Sequence, residues 1–315
     1  MRAVVLSDQL VVSNNWPEPV IKAGQALIRI RRVGICNTDL ELIKGYMNFR
    51  GILGHEFVGE VIDGPSEWKG KRVVGEINVT CGHCDMCRRG YHTQCRNRVT
   101  VGIDRHDGAM SDLMALAVAN LHAVPDTVSD DHAVFVEPLA AALQILECEP
   151  ISPNAEVVLV GAGKLGLLCA QVLRLTGIRV KAVVRRPQVA ELLLKWGIEP
   201  VQTDDLPRRH ADVVIDCTGT REGFDTALGL VRPRGTIHLK STYTGLPQAD
   251  LTRVVVDEIR VVGSRCGPFP AALRLLELGL VDVESMIAAR YLLDNAQNAL
   301  EHAAEPGTLK VLLDL

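Results

Sequence analysis

The segment AEVVLVGAGKLGLLCAQVLRLTG (155–177) constrains this 315-residue chain more than any other. Apolar β-formers run straight into Gly161-Ala162-Gly163-Lys164-Leu165-Gly166, and a helical pattern begins at once. An apolar run without alternation predicts a strand buried on both faces, which demands helices above and below the sheet. The G-x-G-x-x-G spacing is weak alone. Directly after a strand and at the start of a helix, it has the context a dinucleotide turn requires. Gly161 permits the tight turn, Gly163 lets backbone approach a pyrophosphate, and Gly166 lets the helix pack on the sheet. The helix start, with Lys164 and Leu165, then presents unpaired N–H groups and a positive dipole to the phosphates. The plain alternative is a glycine-rich turn that holds no ligand.

Four further segments read as strands: RVKAVV (179–184), ADVVIDCTG (211–219), GTIHLKS (235–241) and IRVVGS (259–264). Helical patterns at PQVAELLLKWG (187–197) and REGFDTALGLV (221–231) alternate with the earlier of them. This predicts an α/β unit with a doubly wound parallel sheet. The chain before it differs. QALIRIRRVGI (25–35), EFVGEVIDG (56–64) and KRVVGEINV (71–79) alternate apolar with polar residues, as half-buried antiparallel strands do. EPLAAALQILE (137–147) reads as a helix, AALRLLELG (271–279) as another, and LKVLLDL (309–315) as a last strand. Three stretches follow: a mainly antiparallel domain over 1–140, a dinucleotide-binding domain over 141–267, and a tail over 268–315.

A second feature is CGHCDMCRRGYHTQC (81–95), which places Cys81, Cys84, Cys87 and Cys95 in one polar loop. The net charge is −4, so there is no basic surplus for nucleic acid. The N-terminus lacks the apolar core and cleavage site of a signal peptide, and no apolar run approaches the ~20 residues of a membrane span. The expected location is therefore the cytoplasm, with no membrane partner. A disulfide web is disfavoured in that reducing compartment, which favours a structural zinc ion held by the four thiolates over a redox or iron–sulfur cluster or incidental thiols. His83 and His92 are expected to be solvated, since four thiolates already complete a tetrahedron. Zinc there would staple a loop that has little apolar surface to bury.

The strand at 179–184 ends in Arg185 and Arg186. A site for NAD usually has an acidic residue about 20 residues beyond the glycine turn, to bind the ribose hydroxyls. Guanidinium groups there suit a 2′-phosphate instead, so NADP is expected over NAD. Two exposed arginines at a strand end are the plain alternative.

GICNTDLELIKG (34–45) and GHEFVGEV (54–61) add Cys36, Thr38, Asp39, His55 and Glu56. Together with the four-cysteine lobe, VEPLA around Glu137 and the glycine turn, these motifs closely resemble the zinc-dependent medium-chain dehydrogenase/reductase family. The resemblance spans essentially the whole chain, although GYMNFR (45–50) is compact. It implies a GroES-like catalytic domain, to which the tail returns, and a Rossmann domain. It implies one catalytic and one structural zinc per chain, and a homodimer or homotetramer. Cys36 and His55 would be catalytic zinc ligands, with Glu56 bound directly or exchanging with water. Glu137 occupies the place where alcohol dehydrogenases carry a cysteine and polyol or sugar dehydrogenases carry an acid. A helix-end acid favoured by the dipole is its plain reading. Cys148 lies too far along that helix to replace Glu137, and is expected to be buried.

Thr38 would relay the substrate proton and Asp39 would support a ligand or nearby backbone; a helix cap is the plain role for either. Thr218 and Gly219, in DCTG, would touch the cofactor. The implied reaction moves hydride between nicotinamide and a polyol, sugar or amino alcohol, whose hydroxyl the zinc acidifies, in a cleft between the domains. The rivals are a zinc-free quinone or enoyl reductase of the same fold, and a non-enzymatic relative that binds zinc and nucleotide.

Overall fold

The strand Gln25–Gly34 organises the first part of the molecule. Its alternation puts Ala26, Ile28, Ile30 and Val33 inside and Arg29 and Arg31 in solvent. In the computed structural model, which describes residues 1–242 and 248–315, this strand pairs antiparallel with Glu56–Asp63, Leu113–Ala117 and Lys310–Asp314. Arg72–Gly75 and Leu121–Ala123 extend the sheet on one side. Ile287–Leu292 extends it on the other, parallel to Lys310–Asp314. Residues 1–137 and 269–315 make up this unit, and residues 138–268 make up a second.

The expected strand over 71–79 is two strands. Arg72–Gly75 stays in the large sheet, while Asn78–Val79 joins a small sheet with Val99–Val101 and Arg105–His106. The crossing has a physical cause. A Cβ on Gly75 would come 2.5 Å from Leu116 Cδ2 and 2.9 Å from Phe57 Cζ, so only a bare backbone fits there. The buried Asn120 then holds the departing chain, donating from Nδ2 to the carbonyls of Glu76 and Asn78.

The second unit is a six-stranded parallel sheet. Its order is Glu199–Val201, Val180–Val183, Val157–Val160, Ala211–Asp216, Val231–Leu239 and Arg260–Gly263. Val157, Val158, Leu159 and Val160 are all buried, each stabilising by about 1.5–3 kcal/mol relative to exposure. The strand order reverses between Val157–Val160 and Ala211–Asp216. In an open parallel sheet the crevice beyond the carboxyl ends of two such strands is where ligands bind. The Gly161 turn and the segment 217–219 both emerge there. Cys148, at the end of the helix Val136–Cys148, is exposed and not buried. The helix has reached its last residue there, and no element covers its solvent side. Among the described residues, no helix is long and apolar enough to cross a membrane.

Candidate functional site

Gln25–Gly34 ends at Gly34, and Ile35 N bonds to Val311 O at 2.9 Å. The chain then turns into the helix Asn37–Ile43, with Cys36 as its N-cap in extended conformation. Asp39, fully buried, ties the region together. Its Oδ2 accepts from Cys36 N at 2.8 Å and its Oδ1 accepts from Gly54 N at 3.3 Å. The same Oδ1 lies 3.3 Å from His55 Nδ1, a nitrogen that has no hydrogen-bond partner among the described residues. Asp39 thus accepts from the backbone at the start of the helix and stands against the His55 ring. With Asp39 against Nδ1, Nε2 is the nitrogen left to take a metal.

Cys36, His55 and Glu56 each bring a ligand atom into one group, all within 4.8 Å of one another. Burial works against charging the His55 ring. The Asp39 carboxylate and the Cys36 thiol outweigh it and hold the pKa well above the ordinary histidine value. A thiol, an imidazole and a carboxylate converging in a buried place fit a zinc ion. Thr38 Oγ1 is 3.7 Å from Cys36 Sγ, on the partly exposed side of the group. The Glu137 carboxylate stands outside the group, half-buried in the first turn of Val136–Cys148.

Sequence reasoning missed Lys310. Its ammonium pairs with Glu56 Oε2, both side chains being almost wholly buried, and sits 5.7 Å from the centre of the Phe135 ring. Burial alone would discharge this lysine, but Glu56, Cys36 and Asp39 outweigh it and raise its pKa. Gly34 makes room for the pair. A Cβ there would lie 2.6 Å from Glu56 Oε2 and 3.2 Å from Lys310 Cδ. Glu56 therefore belongs to two sets at once, the ligand group and a buried ion pair.

The lobe brings all four cysteine sulfurs together. Cys84 and Cys87 Sγ are 3.5 Å apart, Cys95 and Cys81 3.5 Å, and Cys84 and Cys95 3.9 Å. All four are free thiols. A tetrahedron with metal–sulfur bonds of about 2.3 Å has edges of about 3.8 Å, so the spacing suits zinc. The N–H groups of His83 and Cys84 help draw Cys81 down to about 6. Burial and the neighbouring sulfurs push Cys87 up to about 12, so the four cannot ionise together without a cation among them. His83 and His92 are exposed, as expected.

At the glycine turn each glycine has a distinct reason. Gly161 has φ +98°, and a Cβ there would meet the Cys217 carbonyl carbon at 2.8 Å. A Cβ on Gly166 would collide with the Gly161 carbonyl oxygen. Gly163, the N-cap of Lys164–Leu175, has nothing within 4 Å of its would-be Cβ, and that open space suits a pyrophosphate. Thr218 is held by the buried Asp216, donating to Oδ1 from N at 2.8 Å and from Oγ1 at 2.7 Å. Gly219 follows with φ +68°. Arg185 and Arg186 are exposed just beyond Val180–Val183, Arg186 at the position before the helix Pro187–Lys195 with no side-chain bond to it.

Residues 22–126 match the family model of the alcohol dehydrogenase GroES-like domain, and residues 165–278 match that of the zinc-binding dehydrogenase. L-threonine 3-dehydrogenase of Alteromonas mediterranea is 33% identical over 223 residues, which is 67% of this chain and 64% of that protein. Erythritol/L-threitol dehydrogenase of Mycolicibacterium smegmatis is 31% identical over 322 residues, 91% of this chain and 89% of that one. Among solved structures, a zinc-binding dehydrogenase from Sinorhizobium meliloti 1021 bound to NADP matches with a TM-score of 0.89 at 28% identity. The match covers 100% of this chain and 99% of that one.

Proposed function

This chain belongs to the zinc-dependent medium-chain dehydrogenase family, and on that footing we propose that it oxidises a polyol, sugar or amino alcohol with NADP, using zinc. The observation that carries the reading is the convergence of Cys36, His55 and Glu56, with Asp39 holding both loops that supply them. Cys36 and His55 would hold the reactive zinc, with Glu56 or Glu137 as the further oxygen ligand, and the four lobe cysteines would hold a second, structural ion. When bound, zinc supplies Lewis acidity and the nicotinamide supplies the hydride acceptor.

The chain's own residues do the rest. Asp39 fixes the His55 ring, so the donor set does not have to reorganise during turnover. Thr38 would relay the substrate proton, accepting a hydrogen bond from the substrate hydroxyl and passing its own hydroxyl proton on toward solvent, being a hydroxyl beside Cys36 on the open side of the group. Lys310 bears on the choice of oxygen ligand. While it pairs with Glu56, that carboxylate is restrained, which favours Glu137 or water in the remaining position. Gly163 and the N–H groups at the start of Lys164–Leu175 receive the pyrophosphate. Thr218 and Gly219 border the same crevice, and Arg185 and Arg186 meet the 2′-phosphate.

Two measurements test this. Metal analysis of the purified protein should find about two zinc ions per chain. A screen of polyols, sugars and amino alcohols with both cofactors should find turnover that Cys36→Ser largely abolishes while dinucleotide binding persists. Full turnover by the Cys36→Ser variant on a confirmed substrate would overturn the assignment.

A further inference from the structure

A cleft of about 310 Å³ opens at the amino-terminal ends of the parallel strands, the opposite end of the sheet from the Gly161 turn. The segment from Glu149 to Ala155 forms one side of it, and Asp212, Arg232, Arg234 and Arg260 line another. His238 lines it too. This histidine is fully buried, and neither of its ring nitrogens has a hydrogen-bond partner among the described residues. A buried imidazole with two idle nitrogens, in a residue that lines a cleft, is costly unless something bonds to it.

The charges around it are unequal. Arg232 Nε lies 2.6 Å from Asp212 Oδ1, and Arg260 pairs with Glu149. Among the described residues Arg234 pairs only with Glu258, 3.4 Å away, and both of those side chains are more than 70% exposed (80% and 72%). Two residues beyond His238, the Lys240 ammonium rests on neutral acceptors: the carbonyls of Ala141 and Ser264 and the Ser264 hydroxyl. The cleft lining thus carries three arginines against two carboxylates, Glu149 and Asp212. Burial, helped by Lys240 and Arg260, brings His238 down to about 4, so its ring is neutral near pH 7. One nitrogen donates and the other accepts.

We propose that this cleft binds phosphate or a small phosphate monoester, with anionic oxygens toward Arg234 and Arg260 and a P–OH donating to the acceptor nitrogen of His238. The protonated oxygen decides the class. A carboxylate or sulfate near neutrality has no hydroxyl on its anionic group to give the imidazole. A phosphate, with a second ionisation near pH 6–7, still does.

The test follows the His238 ring by NMR in the full chain with histidine labelled with nitrogen-15, the signal being assigned by its loss in His238→Phe. Inorganic phosphate, glycerol 3-phosphate and sulfate are titrated in turn at about pH 6.5 and fixed ionic strength. Expected is a saturable shift with at least one phosphate, at least about tenfold weaker with sulfate. Response to inorganic phosphate alone assigns the site to the free ion, and response to glycerol 3-phosphate assigns it to a monoester. Arg234→Gln, on an exposed side chain that leaves the fold alone, should weaken the phosphate response about tenfold. A His238 signal that phosphate does not move, one that sulfate moves equally (an adventitious ion only), or one indifferent to Arg234→Gln would overturn the proposal.

Discussion

Lys310→Met isolates the carboxylate of Glu56. Methionine keeps most of the stem and removes the ammonium. The two side chains are 2% and 1% exposed, so water does not reach Glu56 to replace the lost partner. Removing one member of a buried pair costs about 3–5 kcal/mol, because the other charge stays behind or must take up a proton. At roughly 2–4 °C per kcal/mol for a unit of this size, the melting temperature should fall by about 6–20 °C. The double variant Lys310→Met with Glu56→Gln leaves no isolated charge and should recover at least half of that loss. Gly34→Ala strains the same pair from outside, placing a methyl 2.6 Å from Glu56 Oε2, and should cost about 1–3 kcal/mol. Calorimetry on metal-stripped protein keeps ligand loss out of the comparison. If the single variant melts within about 2 °C of the unmodified protein, or the double variant melts as low as the single, the charge argument is wrong.

Four further outcomes are expected. Cys87→Ala should release about one zinc per chain and lower the melting temperature; unchanged zinc content would contradict the lobe assignment. Asp39→Ala should weaken zinc retention at Cys36 and His55 by about 10–100-fold in a chelator competition, and retention like that of the unmodified protein would show His55 to be positioned without it. Arg185→Asp with Arg186→Ser should move the ratio of kcat/KM from NADP toward NAD by about tenfold to a hundredfold, and an unmodified protein already better with NAD would end that argument. Finally, His238 takes up its proton in the unfolded chain near pH 6.5 but in the folded one only near pH 4. Stability is therefore lost as pH falls through that window, by up to about 3 kcal/mol. Calorimetry in phosphate-free buffer should show that slope, and His238→Phe should flatten it.

What the sequence disclosed was local. The glycine turn, with the strand before it and the helix after it, and the four-cysteine loop are each contiguous in sequence, so both could be picked out without the fold. Cys36, Asp39 and His55 were legible as two short motifs, and their geometry needed only the pairing of neighbouring strands. Lys310 was not legible, because its partner Glu56 is 254 residues away and they meet only when Lys310–Asp314 pairs with Gln25–Gly34. Gly34 was hidden for the same reason, since a glycine ending a strand suggests nothing about an ion pair beside it. The strand Ile287–Leu292 escaped notice although its burial alternates along its length. The break after Gly75 depends on Leu116 and Phe57, which no pattern within 71–79 contains.

The strand Lys310–Asp314 lies between Gln25–Gly34 and Ile287–Leu292 in the large sheet. During synthesis the ribosome therefore releases most of that sheet long before one of its inner strands exists. Residues 138–268 are contiguous and can fold while the first 137 wait with an open edge beside Gly34 and Glu56 unneutralised. Closing so long a loop adds little to the equilibrium cost, about 0.6 kcal/mol for each doubling, but pairings this distant in sequence are slow to form. A waiting edge of that kind is where a nascent chain is most exposed to wrong partners, and a fragment ending at residue 137 would keep it permanently.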